Sequence, residues 1–67
     1  MMIHILGETA GNIWRLLDEQ GELTFGKIKK SLGGKDSDLY MAIGWLARED
    51  QIEIITDGRM TKFSNKK

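Results

Sequence analysis

Three stretches of the chain carry apolar residues at helical spacing. The first predicts a helix over about Glu8–Gln20, because its apolar side chains recur every three or four positions and so fall on one side. The residues of that side are Leu6, Ala10, Ile13, Leu16 and Leu17. Gly21 follows and is suited to end the helix in a left-handed conformation.

The second stretch predicts a helix over about Phe25–Leu32, with Thr24 as its N-cap. Its apolar stripe consists of Phe25, Ile28 and Leu32. Leu23-Thr24 is too short for an independent strand, but we expect it to form an edge strand beside a hairpin. Gly33-Gly34 predicts a turn, after which Asp36 or Ser37 caps the next helix.

The third stretch predicts a helix over about Ser37–Glu49, and its core side consists of Leu39, Ala42, Ile43 and Leu46. Its opposite side is unusual because it carries Met41, Trp45 and Arg48. Tyr40 and Gly44 lie on the flank. We expect the core side to pack against the first helix.

The segment from Ile52 to Phe63 predicts a β-hairpin in which Asp57-Gly58 forms a two-residue type I′ turn. This register places Glu53 opposite Lys62, as an ion pair, and Ile55 opposite Met60. Alternation assigns the core face to Ile52, Ile54, Thr61 and Phe63. Ser64–Lys67 then has the character of a frayed tail.

The order of these elements predicts an α+β fold, a winged helix-turn-helix with three helices and a small antiparallel sheet. At 67 residues the chain has room for one domain, residues 1–67. A chain of about 60 residues buries only about 60% of its unfolded surface, so it depends on good packing or on a partner subunit.

Charge and composition reduce the number of function classes that the chain could belong to. Ten Lys and Arg balance ten Asp and Glu, whereas dedicated nucleic-acid binders are usually basic. There is no cysteine, no apolar run of membrane-spanning length and no signal-peptide pattern, so we expect a cytoplasmic protein that does not insert in a membrane. His4, the single histidine, is assigned to an N-terminal strand or tail, and no residues with the spacing of a metal, cofactor or catalytic site accompany it. We expect no enzyme activity and infer no small-molecule substrate.

Two motifs carry a family resemblance. Gly7-Glu-Thr-Ala-Gly-Asn-Ile-Trp14 and Ala42-Ile-Gly-Trp-Leu-Ala-Arg-Glu49 together resemble a small uncharacterised family of prokaryotic winged helix-turn-helix proteins, over about Gly7 to Phe63. The resemblance implies a winged-helix fold and homodimers, and it implies no activity, cofactor or catalytic residue. The layout is more distantly similar to bacterial transcriptional regulators of the winged type, whose equivalent of Ser37–Glu49 enters the DNA major groove.

Double-stranded DNA is the first candidate partner. Phosphates are held by Lys, Arg, Ser and similar donors, which gives the candidate contacts Lys27, Lys29, Lys30, Lys35, Ser37, Tyr40, Arg59 and Lys62. Asp38 is predicted to point outward near the start of the third helix, and both Asp36 and Asp38 would repel phosphate. The alternative is that the lysines form an ordinary solvated face.

A protein interface is the second candidate. Exposed apolar clusters mark interaction surfaces, and Trp and Met are enriched in them. The candidate contacts are Met41, Trp45, Ile55 and Met60. They would serve a homodimer that binds DNA, or a protein-interaction module that no longer reads DNA.

Trp14 is interpreted as a core or dimer-packing residue, with ligand stacking as the alternative. Gly11 weakens the middle of its helix by up to about 1 kcal/mol relative to alanine. We expect another element to approach closely at Gly11 and at Gly44, with the alternative that Gly44 makes room for a neighbouring tryptophan.

Overall fold

The elements follow the chain in the order helix, strand, two helices and a strand pair. The computed structural model describes the backbone of residues 2–66 and the side chains of residues 7–66. The elements are α1 (Met2–Gln20), β1 (Leu23–Thr24), α2 (Phe25–Leu32), α3 (Asp36–Arg48), β2 (Ile52–Asp57) and β3 (Met60–Asn65). The predicted winged helix-turn-helix architecture of three helices and a small antiparallel sheet is confirmed.

Helix α1 is longer than predicted, because it begins at Met2 rather than near Glu8. The backbone at His4 is therefore helical, and its assignment to a strand or tail was wrong. Gly21 ends the helix as predicted, with φ of 78° and its N–H donating to the Leu17 carbonyl at 2.8 Å. The side chain of Leu6, predicted to join the core, lies outside the described residues. No helix in the described part of the chain is long and apolar enough to cross a membrane.

Helix α2 has the predicted bounds and the predicted cap. The Thr24 hydroxyl accepts from the Lys27 N–H at 3.4 Å, and Gly33, with φ of 73°, ends the helix. The predicted cap of α3 was wrong: Lys35 is the N-cap residue, and it makes no side-chain capping bond. Asp36 is instead the first helical residue, and its carboxylate is engaged by Lys29 across the α2–α3 turn.

Helix α3 ends in a tight left-handed turn that leads directly into β2. Asp50 has φ of 62°, a region that Asn and Asp tolerate better than most residues. The Gln51 N–H donates to the Leu46 carbonyl at 2.9 Å and the Asp50 N–H to the Ala47 carbonyl at 3.1 Å, which is the Schellman pattern. Only Glu49, Asp50 and Gln51 separate α3 from the hairpin, so the two elements are held at a fixed angle.

The sheet has the order β1-β3-β2, and β1 is the predicted edge strand. The predicted hairpin register was wrong. Ile54 lies opposite Phe63 and Asp57 lies opposite Met60, so the turn residues are Gly58 and Arg59. Gly58 has φ of 62° while Arg59 is not in the left-handed region, which indicates a type II′ turn rather than type I′. Consequently Glu53 faces Ser64, Ile55 faces Lys62, and neither predicted cross-strand pair forms.

The error in register leaves the two faces of the hairpin unchanged, because each partner shifts by two residues. Ile52 and Phe63 are buried as predicted, and Phe63 lies opposite buried Leu23 of β1. Ile54 and Thr61 share that face but are exposed, so their assignment to the core was wrong. The core joins these strand residues to α1, α2 and α3 through a set of side chains that are almost fully buried: Ala10, Ile13, Leu17, Ile28, Leu39, Ala42, Ile43 and Leu46.

The segment predicted to fray is ordered as far as Lys66. Ser64 and Asn65 belong to β3, and the Asn65 side-chain amide donates to the Trp14 carbonyl at 2.9 Å. The Lys66 N–H donates to the Gln51 carbonyl, and its ammonium donates to Asp50 at 2.6 Å. That hydrogen bond to the Asp50 carboxylate raises the pKa of Lys66. The end of β3 is therefore tied both to α1 and to the α3–β2 turn.

The turn assignment gives a direct stability prediction. Gly58→Ala places a Cβ at φ near 62° and should lower the free energy of unfolding by about 1–2 kcal/mol. Arg59→Ala, the matched control in the same exposed turn, should change it by less than about 0.5 kcal/mol. Urea denaturation followed by circular dichroism measures both values, and equal effects of the two variants would contradict a type II′ turn.

Candidate functional site

The predicted nucleic-acid contacts lie on α2, at the start of α3 and on the hairpin. All except Lys62, which is half-buried, are exposed: Lys27, Lys29, Lys30, Lys35, Ser37, Tyr40 and Arg59. Helical spacing brings the lysines of α2 to its outer side, because buried Ile28 fixes the opposite side. Arg59 occupies the hairpin tip because it is the second residue of the turn.

Two of the predicted cations are already paired. Lys29 forms an ion pair with Asp36, and the Lys62 ammonium lies 3.9 Å from the Glu22 carboxylate. Among the side chains of residues 7–66, Lys27, Lys30, Lys35 and Arg59 form no ion pair. These four predicted cations can therefore exchange counterions for phosphates without first breaking an ion pair.

The acidic residues at the start of α3 are less exposed to an approaching phosphate than the sequence suggested. Asp36 is neutralised by Lys29. Asp38, predicted to point outward, is half-buried and lines a small cavity of about 140 Å³ with Thr9 and Asn12 of α1 and with Lys35. Both carboxylates also lie in the first turn of α3, where the helix dipole stabilises negative charge.

Tyr40 makes a contact that the sequence did not reveal. Its ring stacks on that of Phe25, with ring centroids 4.1 Å apart and an interplanar angle of 3°. The stack joins the first residue of α2 to the second turn of α3 and fixes the direction of the Tyr40 ring. Tyr40 as a residue stays 56% exposed despite this stack.

The predicted interface residues come from two elements of the fold. Met41 and Trp45 are 40% and 43% exposed on α3, whereas Met60 and half-buried Ile55 lie on the outer face of the hairpin. Ile55 and Met60 are diagonal rather than direct neighbours, because Ile55 lies opposite Lys62 and Met60 opposite Asp57. Of the four residues, Trp45 lines a groove in the described part of the molecule.

That groove, which we call the tryptophan groove, runs between α1 and α3 and has a volume of about 330 Å³. Gly7, Gly11 and Trp14 line it from α1. Trp45 of α3 and Glu49, the C-cap residue of that helix, line it from the other side. Sequence reasoning named Trp14 and Gly11 separately and omitted Gly7. The available signal was the spacing: positions 7, 11 and 14 recur at intervals of four and three, so they share one side of a helix.

The expectation that Gly11 and Gly44 allow close approach within the chain was wrong. Apart from the adjacent residues and the backbone of the same helix, no described atom lies within 4 Å of a Cβ built at Gly7, Gly11 or Gly44. Gly44 lies on the outer part of α3, away from the groove, whereas Gly7 and Gly11 form part of the groove floor. Contacts with the described side chains therefore do not require glycine at these helical positions.

Comparisons with known proteins agree with this architecture. The chain is 47% identical over 57 residues to the uncharacterized protein MJ1608 of Methanocaldococcus jannaschii, covering 81% of this chain and 80% of that protein. The solution NMR structure of protein BT2368 from Bacteroides thetaiotaomicron superposes with a TM-score of 0.87 at 26% identity, over 97% of this chain and 79% of the other. The sequence profile of the winged helix-turn-helix domain DUF2582 matches residues 1–65. The chain thus belongs to the DUF2582 family of winged helix-turn-helix domains.

Proposed function

We propose that the chain is a DNA-binding protein that acts in transcription as a cytoplasmic homodimer. Its phosphate contacts would come from α2, the α2–α3 turn and the hairpin tip, with α3 facing the major groove. The observation that carries this proposal is a set of exposed cations on those three elements that form no ion pair with any described side chain: Lys27, Lys30, Lys35 and Arg59. Such cations supply most of the sequence-independent affinity for DNA. The role requires binding alone and no chemical step.

The electrostatics at the start of α3 support the same role. Because Lys29 neutralises Asp36 and Asp38 turns toward α1, a phosphate near Ser37 meets little unscreened negative charge. Ser37 is exposed and can donate a hydrogen bond through its hydroxyl. A neutral protein can bind DNA in this way, since local clustering of charge outweighs the net charge of the whole molecule.

A second candidate is a protein-interaction module with the same fold that does not read DNA. It is favoured by the outer side of α3, where Met41 stands in place of a side chain that hydrogen-bonds to base edges and is 40% exposed. In that case α3 would lie against a protein rather than against a duplex.

Salt dependence tests the DNA role. With about four phosphate contacts, the affinity for a mixed-sequence duplex should fall by about 100-fold between about 50 mM and about 200 mM salt. Lys30→Glu should weaken binding by at least about tenfold, because it removes one contact and introduces repulsion. Fluorescence anisotropy of a labelled duplex measures both effects.

Arg15→Glu is the matched control for Lys30→Glu. It makes the same change in net charge at an exposed position of α1, outside the proposed contact surface. Equal loss of affinity in the two variants would show a general charge effect and not a binding surface. No binding of the wild type at low salt would eliminate the DNA role.

Two substitutions at Tyr40 separate its hydroxyl from its ring. Tyr40→Phe keeps the stack on Phe25, so the free energy of unfolding should stay the same while the DNA affinity falls by about 2–10-fold through loss of one hydrogen bond. Tyr40→Ala should also destabilise the fold by about 0.5–1.5 kcal/mol, because the stack is lost. Anisotropy and thermal denaturation give the two values, and unchanged affinity of Tyr40→Phe would remove Tyr40 from the contact surface.

Met41→Arg distinguishes the two candidate roles. If the outer side of α3 meets DNA, the new cation should raise the affinity and steepen the log–log salt slope by about 1. If α3 lies against a protein, the affinity for duplex DNA should stay the same. The measurement is the same anisotropy titration over a range of salt concentrations.

A further inference from the structure

Strand β2 leaves a long edge of the sheet open. In the strand order β1-β3-β2, the partner of β2 is β3, and no further described strand lies beyond β2. The six residues of β2 pair with β3 in continuous register, without a bulge. The strand at the other edge, β1, has two residues. The edge of β2 is therefore the one long enough to accept a further strand.

The register shows which backbone groups of β2 face that open edge. Asp57 and Met60 flank the two-residue turn and form a hydrogen-bonded pair, and the pairs of the ladder alternate from there. Every second residue of β2 therefore bonds to β3, whereas Ile52, Ile54 and Thr56 direct their N–H and C=O groups outward. In the described part of the chain, no backbone group of residues 52–57 forms a hydrogen bond outside the β2–β3 ladder.

This edge lacks the features that usually prevent strand addition. Natural proteins protect long edge strands with lysine, proline or a bulge. The sequence of β2, Ile52-Glu-Ile-Ile-Thr-Asp57, contains neither lysine nor proline and is rich in β-branched residues, which favour the extended conformation. Ile54 is 54% exposed. An edge of this kind can bind an extended peptide, with affinity from main-chain hydrogen bonds and specificity from alternate side chains.

The charge along the edge indicates the kind of peptide. Four acidic residues and no basic residue occupy the stretch from Glu49 to Gly58. Asp50 is engaged in an ion pair at the end of β3. Glu53 and Asp57 are exposed and form no ion pair with any described side chain. Because side chains alternate along a strand, both carboxylates lie on the same face as Ile55, which stands between them.

We propose that the open edge of β2 binds an extended segment of a partner protein in which two basic residues flank an apolar residue at alternate positions. The segment adds as an antiparallel strand, with its basic side chains opposite Glu53 and Asp57 and its apolar side chain opposite Ile55. Opposite charges directly across a strand pair are stabilising. The outward backbone groups of Ile54 and Thr56 supply the hydrogen bonds. This site is separate from the proposed DNA contacts and does not depend on them.

A second copy of the chain fits this edge less well than a basic segment does. Antiparallel pairing of two β2 strands brings Glu53 and Asp57 of both copies onto one face. The strand itself contains no basic residue that could neutralise these carboxylates, and like charges in neighbouring strands are destabilising. Charge complementarity therefore favours a basic partner.

The experiment is an NMR titration of the isotope-labelled full chain with the synthetic peptide Thr-Lys-Thr-Val-Thr-Lys-Thr, blocked at both ends. In the antiparallel alignment its lysines lie opposite Glu53 and Asp57 and its valine lies opposite Ile55. A titration to about 1 mM peptide detects weak binding. The amide signals of Ile54 and Thr56 should shift most, because their N–H groups gain acceptors, while those of α1 should stay unchanged.

Two modified peptides test the strand geometry. N-methylation of the two threonines beside the valine removes the donors that meet the carbonyls of Ile54 and Thr56, and it should abolish the shifts. N-methylation of the two lysines is the matched control. Their N–H groups face away from β2 in the antiparallel alignment, so the affinity should stay within about twofold of that of the parent peptide.

A charge reversal tests the partner chemistry. Glu53→Lys should weaken binding of the parent peptide by about 3–10-fold, because an attractive cross-strand pair becomes a repulsive one. Glu19→Lys is the matched control, since it makes the same change in net charge at an exposed position of α1. Its affinity for the peptide should equal that of the wild type.

Three results would overturn the proposal: no shift of the β2 amides, equal binding of the two N-methylated peptides, or equal binding by Glu53→Lys and Glu19→Lys. Shifts of the Ile54 and Thr56 amides that depend on protein concentration in the absence of peptide would also overturn it, because they would place a second copy of the chain on this edge.

Discussion

The buried contact between α1 and α3 is the constraint on which the other elements depend. Ile13 of α1 and Ala42 of α3 are both fully buried, and small side chains at Ala10 and Ala42 let the two helices pack closely. Phe63 of the central strand and Ile28 of α2 complete the same core. Since a chain of this size has one small core, the outer surfaces of α2, α3 and the hairpin are positioned by contacts on their inner sides.

The sequence was sufficient to predict the helices. It was insufficient where the same residues suit two different local conformations. The bounds of α2 were well determined by its sequence. Its apolar residues Phe25, Ile28 and Leu32 recur at helical spacing, Thr24 precedes them as a cap and Gly33 follows them. In the hairpin, Gly58 satisfies either position of a primed turn, so Asp57-Gly58 and Gly58-Arg59 were both acceptable by turn chemistry. The extent of α1 was missed at its N-terminal end, where Gly7 interrupts the pattern that marks a helix.

The sequence predicted which residues form the candidate surfaces, but it did not predict how those residues are arranged in space. The lysines of α2 were found because Ile28 fixes their side of the helix. Lys29 forms an ion pair with Asp36, seven residues away. This pair depends on the angle of the α2–α3 turn, which no local sequence pattern encodes. In the same way Asp38 was assigned outward, although the position of α1 places it against Thr9 and Asn12. A stack such as Phe25–Tyr40 likewise requires the packed helices to exist before it can be recognised.

The strand order has a consequence for the way the protein is made. Because β3 lies between β1 and β2, neither outer strand has a partner until residues 60–65 have been synthesised. While the chain is growing, Leu23 and Ile52 therefore have no sheet to cover them, although the helices on either side can already coil. Chains emerge from the ribosome at about 5–20 residues per second, whereas a β-hairpin closes within about 1–10 μs. The ribosome, and not the chain, thus sets the moment at which the sheet closes, and until then these apolar strands are surfaces that a chaperone can hold.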